Sequence, residues 1–437
     1  MRFAPLAFIA ALFSTTAHAE AARYIVHFAD TASARAARLP SRDVHARGDR
    51  GPRHVRSLAT GGEVFDLPDG NPAHLAALSG VVSVEEDVWI QPTAVVDPLW
   101  RRQWNLHDAR TGVDAEVAWR RTRGAGAVVA VLDTGITPHP EFDGQLLPGF
   151  DFVSEPDNAR DGDGRDPDPV DAGDWKDVGD CGAKTPRRST WHGTHVAGIV
   201  AARAGNHPGM VGLAPEAKLL PVRVMGRCGG RLSDIADAVV WASGGDVPGV
   251  PAVTRRADVI NLSLGVGGAC GMSFARAIDD ARSRGTVVVA AAGNDAVSAN
   301  AEMPANCPGV VTVAAVARDG GAAWYSNFGE RITLAAPGGS LGDRGADDIV
   351  SSVDGGERGR ERPAYRWLAG TSMAAPHVSA LVALMRSVDP AIDVDAVTRQ
   401  LVDNARPMAG PCPRGCGAGL MDAGATVDAV YEDRARS

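Results

Sequence analysis

Four polar side chains stand where apolar segments of the sequence begin or end, and together they could perform acyl transfer. Asp133 closes the run AVVAVLD, His192 precedes GTHVAGIVAA, Asn294 follows GTVVVAAAG, and Ser372 begins SMAAPHVSALVALM. A serine hydroxyl attacks a carbonyl once a base takes its proton, and a carboxylate holds that base in the correct tautomer. An amide can donate a hydrogen bond to the oxyanion that forms. The side chains needed for this chemistry are therefore present.

The segments that carry these residues predict an α/β fold. From about residue 125, short apolar strands alternate with helices. The predicted strands are AVVAVLD, KLLPVRVMG, ADVINLSLG, GTVVVAAAGN and VVTVAAVA, and the predicted helices are GTHVAGIVAAR, LSDIADAVVWAS, SFARAIDDARSRG, TSMAAPHVSALVALMRSV and DVDAVTRQLVDNA. Continuous apolar strands separated by helices indicate a doubly wound parallel sheet covered on both faces. In such sheets a site forms at the carboxyl ends of the strands.

Each polar residue, taken singly, also has an ordinary structural explanation. Asp133 could be a turn residue, His192 a buried structural histidine, and Ser372 a helix N-cap. The sequence HGTH could suggest a metal pair, but it lacks the glutamate and the spacing of HExxH. The order Asp, His, Ser is that of subtilisin, and it differs from the orders in chymotrypsin and the α/β-hydrolases.

Five segments resemble the signature segments of the subtilase family: AVVAVLDTGI, WHGTHVAGIVAA, VINLSLG, AAAGND and LAGTSMAAPHVSALVAL. The resemblance extends over about residues 98–430. It implies a subtilisin-like, mostly parallel sheet flanked by helices, within a peptidase domain at residues 96–437. It assigns Asp133, His192 and Ser372 to a catalytic triad and Asn294 to the oxyanion hole. The backbone N–H of Ser372, at a helix N-terminus, would be the second oxyanion donor.

The resemblance also implies where a peptide substrate binds. It assigns Ser263, Leu264 and Gly265 to one wall of the cleft, Gly229 and Gly230 to the opposite wall, and Gly370 to the space beside the nucleophile. A peptide held between two such walls forms main-chain hydrogen bonds, and pockets select alternate side chains. Cys228 lies in the second wall, which is a departure from plain subtilisin.

The N-terminal residues predict export. A short basic head, an apolar stretch and the site Ala17-His18-Ala19 indicate a cleaved signal peptide at residues 1–19, and therefore a secreted or periplasmic protein. Residues 20–95 offer strand, helix and strand, and they are similar to the propeptide of the family, a small α+β domain that acts as folding chaperone and temporary inhibitor. We expect maturation between Ile90 and Asp97.

The composition excludes some classes of partner. The 437-residue chain has a formal net charge of −9, which argues against general affinity for nucleic acid or an anionic membrane. No segment after the signal peptide is long and apolar enough to cross a bilayer. We expect a monomer whose partners are protein or peptide substrates and its own propeptide.

All six cysteines lie between Cys181 and Cys416, and an even number in an exported chain suggests disulfides. Cys412 and Cys416 are close enough to close a small loop. This leaves Cys181 with Cys228, and Cys270 with Cys307, as the preferred pairs. Free buried thiols are the alternative.

An acidic loop at residues 157–177 is a candidate calcium site. Calcium prefers oxygen ligands in a flexible shell, although the spacing here does not fit an EF-hand. The ligands that we expect are Asp161, Asp163, Asp166 and Asp171. A solvated acidic loop is the alternative. Glu141 and Asn206 lie where the family has another calcium site, in a loop one residue longer than usual.

The function predicted from these features is that of a secreted serine endopeptidase, made as a zymogen that processes itself. Three alternatives remain open. An inactive subtilase-like binding protein would be expected to lack a member of the triad. An esterase would use the same triad without cleaving proteins. A calcium-dependent structural protein is supported only by the acidic loop.

Overall fold

A computed structural model describes residues 22–38, 51–68, 70–88, 97–341 and 345–436. The chain divides into two compact units, Met1–Thr93 and Ala94–Ser437. The predicted boundary lies two residues further along the chain. The predicted signal peptide and most of the predicted maturation segment lie outside the described residues. None of the described helices is long and apolar enough to span a membrane.

The N-terminal unit is a small α+β domain, as the fold-class prediction states. Its four strands form an antiparallel sheet in the order β2-β3-β1-β4. Its elements are β1 (Ala22–Phe28), α1 (Thr31–Arg38), β2 (Arg53–Ser57), β3 (Glu63–Leu67), α2 (Ala73–Ala76) and β4 (Val81–Glu86). Val26, Phe65, Leu67 and Leu75 form a buried core of its own.

The second unit contains eleven strands and nine α-helices among its described residues. The strands are β5 (Val128–Asp133), β6 (Phe150–Asp151), β7 (Lys218–Arg223), β8 (Val259–Leu262), β9 (Val266–Gly267), β10 (Val287–Ala291), β11 (Glu302–Met303), β12 (Val311–Val316), β13 (Leu334–Pro337), β14 (Ile349–Asp354) and β15 (Pro363–Leu368). The helices are α3 (Trp104–His107), α4 (Ala115–Ala118), α5 (Pro156–Ala159), α6 (His192–Ala201), α7 (Leu232–Ala242), α8 (Met272–Ser283), α9 (Thr371–Val388), α10 (Val394–Asp403) and α11 (Ala423–Arg436).

Seven strands form a central sheet in the order β13-β12-β10-β8-β5-β7-β6, and every neighbouring pair is parallel. Side chains of β5 alternate between two cores. Val129 and Val131 face the core that contains α6 and α9. Ala130 and Leu132 face the core that contains α7 and α8. Both faces are covered, which explains the continuous apolar runs and confirms the predicted doubly wound fold.

The order of strands changes direction at β5, because β7 pairs with one edge of β5 and the next strand along the chain, β8, pairs with the other edge. Connections that diverge at such a point leave a crevice at the carboxyl ends of the strands. Asp133 is the last residue of β5, Ser263 directly follows β8, and Asn294 lies three residues after β10. The topology therefore brings these residues to one edge of the sheet.

Helix α9 lies inside the molecule and contacts β8, β10, β12, β13 and α6. Nearly all of its side chains are buried, and only Ser372 and Ser387 are half-exposed. A helix that is apolar on all sides is stable only when it is surrounded by protein. Its burial fixes the position of its N-terminus, which carries Ser372.

Three disulfides join the six cysteines: Cys181–Cys228, Cys270–Cys307 and Cys412–Cys416. These are the pairs that the sequence analysis preferred, and none of the six is a free thiol. Crosslinks of this kind stabilise a fold chiefly by restricting its unfolded state.

Candidate active site

The carboxylate of Asp133 is fully buried and binds the imidazole of His192. His192 Nδ1 donates to the two carboxylate oxygens at 2.8 Å and 3.0 Å. Gly193 allows α6 to begin this close to β5, because a Cβ there would lie 2.3 Å from the carbonyl oxygen of Gly135. With Nδ1 donating to Asp133, Nε2 keeps a lone pair that can accept a proton.

The surroundings of His192 raise its pKa above the usual value. Burial alone would lower this pKa, because it disfavours the imidazolium. The charge and the hydrogen bond of Asp133 outweigh that effect, and Asp174 and Asp171 act in the same direction. The site therefore stabilises the cation that His192 becomes when it accepts a proton.

A threonine and a second aspartate support this pair, and the sequence analysis assigned neither to that role. Thr134 Oγ1 donates to Asp171 Oδ2 at 2.6 Å and accepts from Gly193 N at 3.0 Å. Asp171 also accepts from Gly173 N at 2.8 Å and is buried, which raises its pKa to about 7. Asp171, expected to be a calcium ligand, therefore lies behind the Asp133–His192 pair.

Ser372 is the second residue of α9, and it lines the same cavity of about 750 Å³ as His192. Its hydroxyl donates to the carbonyl of Ser263 at 3.2 Å and forms no hydrogen bond with His192. Catalytic hydrogen bonds often tighten only when substrate is bound. The structure places Ser372 and His192 at one cavity without a direct hydrogen bond between them.

The carbonyl of Ser372 is bound by Ser263, the residue after a neighbouring strand, instead of by its own helix. In a regular helix this oxygen would accept from the N–H four residues on, but that residue is Pro376, which has no N–H. Ser263 Oγ donates to it instead, at 2.8 Å. Asn261 Nδ2 donates to Ser263 Oγ at 2.9 Å, and Asn261 Oδ1 accepts from Ser379 Oγ at 2.8 Å. Pro376 thus leaves the carbonyl of Ser372 free to accept a hydrogen bond from Ser263, the residue that follows β8.

We expect Pro376→Ala to lower kcat about tenfold, because a restored N–H would compete with Ser263 for the Ser372 carbonyl and shift the nucleophile. Steady-state kinetics on a peptide substrate measure the change, and thermal unfolding shows whether the fold is kept. Pro390→Ala, outside α9 at an exposed position, is the control. Unchanged kcat in a folded Pro376→Ala protein would refute this role.

Two hydrogen-bond donors lie beside the Ser372 hydroxyl: the side-chain Nδ2 of Asn294 and the backbone N–H of Ser372. Asn294 Oδ1 accepts from Thr371 N and from Thr371 Oγ1, each at 2.9 Å. These bonds fix the amide so that Nδ2 remains available. A Cβ placed on Gly370 would lie 3.6 Å from Asn294 Nδ2 and 3.6 Å from Ser372 N. Neither N–H has an acceptor among the described residues, so both could bind one oxyanion.

Most of the predicted substrate-binding residues line this cavity. Ser263, Leu264 and Gly265 lie on one side, Gly229 and Gly230 line it elsewhere, and Gly370 is adjacent without being part of the lining. Asn158 fixes the second wall, since its Oδ1 accepts from Cys228 N at 2.7 Å and its Nδ2 donates to Gly229 O at 2.8 Å. The Cys181–Cys228 disulfide is therefore part of the cleft, because Cys228 lines the cavity.

The acidic loop forms a smaller cluster than the sequence analysis expected. Within the described residues, Asp161 and Asp166 meet Asp151, with possible ligand atoms within 4.8 Å of one another. Asp163 and Asp171 are not members of this cluster. Arg223 donates to Asp151 at 2.6 Å and also to Asp161. A calcium ion would have to compete with this buried guanidinium.

A second group of oxygens is better suited to calcium. Glu141 is fully buried and accepts from Met210 N, Asn206 Nδ2 and Tyr365 OH, each at 2.8 Å. Asp97 Oδ1 and Asn206 Oδ1 are buried without hydrogen-bond partners. Buried polar oxygens are rarely left unpaired, and oxygen atoms are the ligands that calcium prefers.

Comparisons with known proteins agree with this geometry. A sequence model of the Subtilase family matches residues 124–420. The "Extracellular protease" of Xanthomonas campestris pv. campestris is 44% identical over 429 residues, which cover 93% of this chain and 73% of that relative. The "Extracellular basic protease" of Dichelobacter nodosus is 42% identical, covering 88% of this chain and 65% of that relative. A solved protease structure from Pseudoalteromonas arctica PAMC 21717 is 45% identical with a TM-score of 0.75, covering 76% of this chain and 98% of that one. The chain belongs to the subtilase family of serine proteinases.

Proposed function

We propose that this protein is a secreted serine endopeptidase that cleaves peptide bonds through an acyl-enzyme on Ser372. The observation that carries the proposal is the cavity in which the bonded pair Asp133–His192, the hydroxyl of Ser372 and two unpaired N–H donors meet. Binding alone does not require a base, a hydroxyl and two N–H donors in one cavity. This combination serves a reaction in which a proton moves and an oxyanion forms.

In the proposed reaction, His192 Nε2 takes the hydroxyl proton of Ser372 as the oxygen attacks the substrate carbonyl. The oxyanion binds Asn294 Nδ2 and Ser372 N, while Asp133 stabilises the imidazolium. The tetrahedral intermediate collapses, and His192 returns the proton to the leaving amine. Water then attacks the acyl-enzyme with the same base, which releases the acid and restores Ser372.

The N-terminal unit supports synthesis as a zymogen. Residues 20–95 fall almost wholly within a separate compact unit with its own core. We propose that they form a propeptide that is removed between Ile90 and Asp97 by the enzyme itself, and that residues 1–19 are a signal peptide. The relatives named above are called extracellular proteases, which supports export.

Calcium is proposed as a structural cofactor. Asp97, Glu141 and Asn206 would hold it, because two of their oxygens are buried without partners. When bound, the ion would neutralise two buried carboxylates, whose pKa values are raised by burial. The Asp151–Asp161–Asp166 cluster is the weaker candidate because Arg223 already pairs with two of its members.

A chelator is expected to lower the midpoint of thermal unfolding by about 5 °C, since a ligand that binds only the native state stabilises it. Activity at room temperature should change less. Differential scanning fluorimetry with and without excess EGTA measures the shift. The response should disappear in Glu141→Gln and persist in Asp161→Asn. An unchanged midpoint in the wild-type protein would contradict a stabilising calcium ion.

The test of the proposed function compares the wild-type protein with Ser372→Ala on casein, on a peptide and on a simple ester. An endopeptidase cleaves all three through Ser372. Turnover of the ester alone would favour the esterase alternative. Activity on none of them, in a folded and processed protein, would favour the inactive binding protein.

A further inference from the structure

The lining of the cavity beside Ser372 includes a largely buried carboxylate. Besides Asn294, the lining contains Ser263, Leu264 and Gly265, then Ala291 and Gly293, and then Glu302, Met303 and Pro304. Glu302 begins β11, which pairs with β9 just after the Ser263–Gly265 wall. It is only 7% exposed, so its carboxylate is available mainly to what enters the cavity.

Two glycines make room for this carboxylate. A Cβ on Gly265 would lie 2.7 Å from Glu302 Oε1, and a Cβ on Gly293 would lie 3.1 Å from Glu302 Cγ. The Glu302 side chain therefore lies between Gly265 and Gly293, with Oε1 near Gly265 and Cγ near Gly293. Gly293 directly precedes Asn294, the proposed oxyanion donor. A substrate carbonyl held by Asn294 would direct its own residue's side chain toward Glu302.

Glu302 has no protein partner of opposite charge. Among the described residues, no donor forms a hydrogen bond with its side-chain oxygens, and no Lys, Arg or His forms an ion pair with it. Burial raises its pKa, and the nearby charge of Asp295 adds to this effect. A buried carboxylate without a cation costs folding free energy, and a cationic ligand would offset that cost.

We propose that Glu302 is a specificity-determining residue that binds the arginine or lysine side chain on the acyl side of the cleaved bond. This inference rests on the proposed endopeptidase function. A guanidinium would bind the carboxylate through two parallel hydrogen bonds, and an ammonium through one. The aliphatic part of either side chain would pass between Gly265 and Gly293.

Separate peptides are the appropriate probe for this preference. Residues 90–97 contain no Lys or Arg. Cleavage there would depend on the high effective concentration of a tethered substrate, so the maturation site does not report the preference of the pocket.

The test measures kcat/KM for a peptide series that differs only in that residue: Arg, Lys, Gln, Leu or Glu. The wild-type enzyme is expected to prefer Arg and Lys over Gln and Leu by at least about tenfold. Glu302→Gln should lower kcat/KM for the Arg peptide roughly 30-fold or more, because the charge pair is lost. It should leave the Leu peptide within about threefold. Glu302→Asp should keep activity on the Arg peptide better than on the Lys peptide, because the lysine side chain is shorter than that of arginine. Glu330→Gln, an exposed glutamate outside the cavity, is the control for the amide substitution.

Equal cleavage of the Gln and Arg peptides, or preference for Leu, would overturn the assignment, and the wild-type series alone can show this if a variant fails to fold. If the Leu peptide is preferred but its cleavage still requires Ser372, only the role of Glu302 is refuted. If no peptide is cleaved and a sulfonyl fluoride does not label Ser372, the proposed function itself is refuted.

Discussion

Ser372→Ala is expected to abolish both self-processing and peptide cleavage, with a loss of about 10⁶-fold in kcat, a magnitude taken from the corresponding serine of subtilisin. Thr371 carries the other hydroxyl at this helix start, but its Oγ1 already donates to Asn294 Oδ1 and accepts from Gly293 N. Ser263 lies close, but its hydroxyl already donates to the carbonyl of Ser372 and accepts from Asn261. The substitution removes the attacking atom and leaves the base and the oxyanion donors in place.

The measurement follows the length of the purified protein and its turnover of a peptide substrate. Ser273→Ala, at an exposed position on α8, is a control that should retain full activity. A Ser372→Ala protein that still shortens itself in the absence of any other protease would be incompatible with the proposed nucleophile.

Asn294→Ala should lower kcat by about 10²–10³-fold with little change in KM, because the amide donor acts on charge that develops in the transition state. The magnitude is that of the corresponding asparagine in subtilisin. Thr371→Val should cause a smaller loss, about tenfold, because Asn294 Oδ1 would keep the backbone N–H of residue 371 and lose the hydroxyl.

Steady-state kinetics on one peptide, with thermal unfolding as a check of the fold, separate these two variants. A large increase in KM for Asn294→Ala, with kcat preserved, would mean that this amide binds the ground state and not the oxyanion. Thr371→Val with wild-type kcat would show that the backbone N–H alone orients Asn294.

The positions of the three proposed triad residues in the fold could be predicted because each stands at the end of a long apolar segment. Such segments are predictable from periodicity, and parallel strands must end at a common edge. Asp133 after β5 and Ser372 at the start of α9 follow from this logic. The parallel sheet could also be predicted, because the apolar strands and helices that alternate along the chain are recognisable from their periodicity.

The contacts around the proposed triad could not be predicted in this way, since the partners are distant in sequence and depend on which side chains meet. Asp171 looked like one of many loop carboxylates, yet it is buried and bonds to Thr134. Arg223 belongs to an apolar strand, and nothing in its local pattern indicated that it pairs with Asp151 and Asp161. Thr371 could have been suspected, because a second hydroxyl stands beside the nucleophile at the helix start.

The hydrogen bonds that assemble the site connect distant parts of the chain, and this has a kinetic consequence. Asp133 and His192 are 59 residues apart, Ser263 and Ser372 are 109 apart, and Asn261 and Ser379 are 118 apart. Contacts with such separations form slowly, because long loops must close before they gain any stabilisation. No single fragment of the second unit contains a working site. We therefore expect a nascent or partly folded copy to be inactive until the sheet has formed around α9.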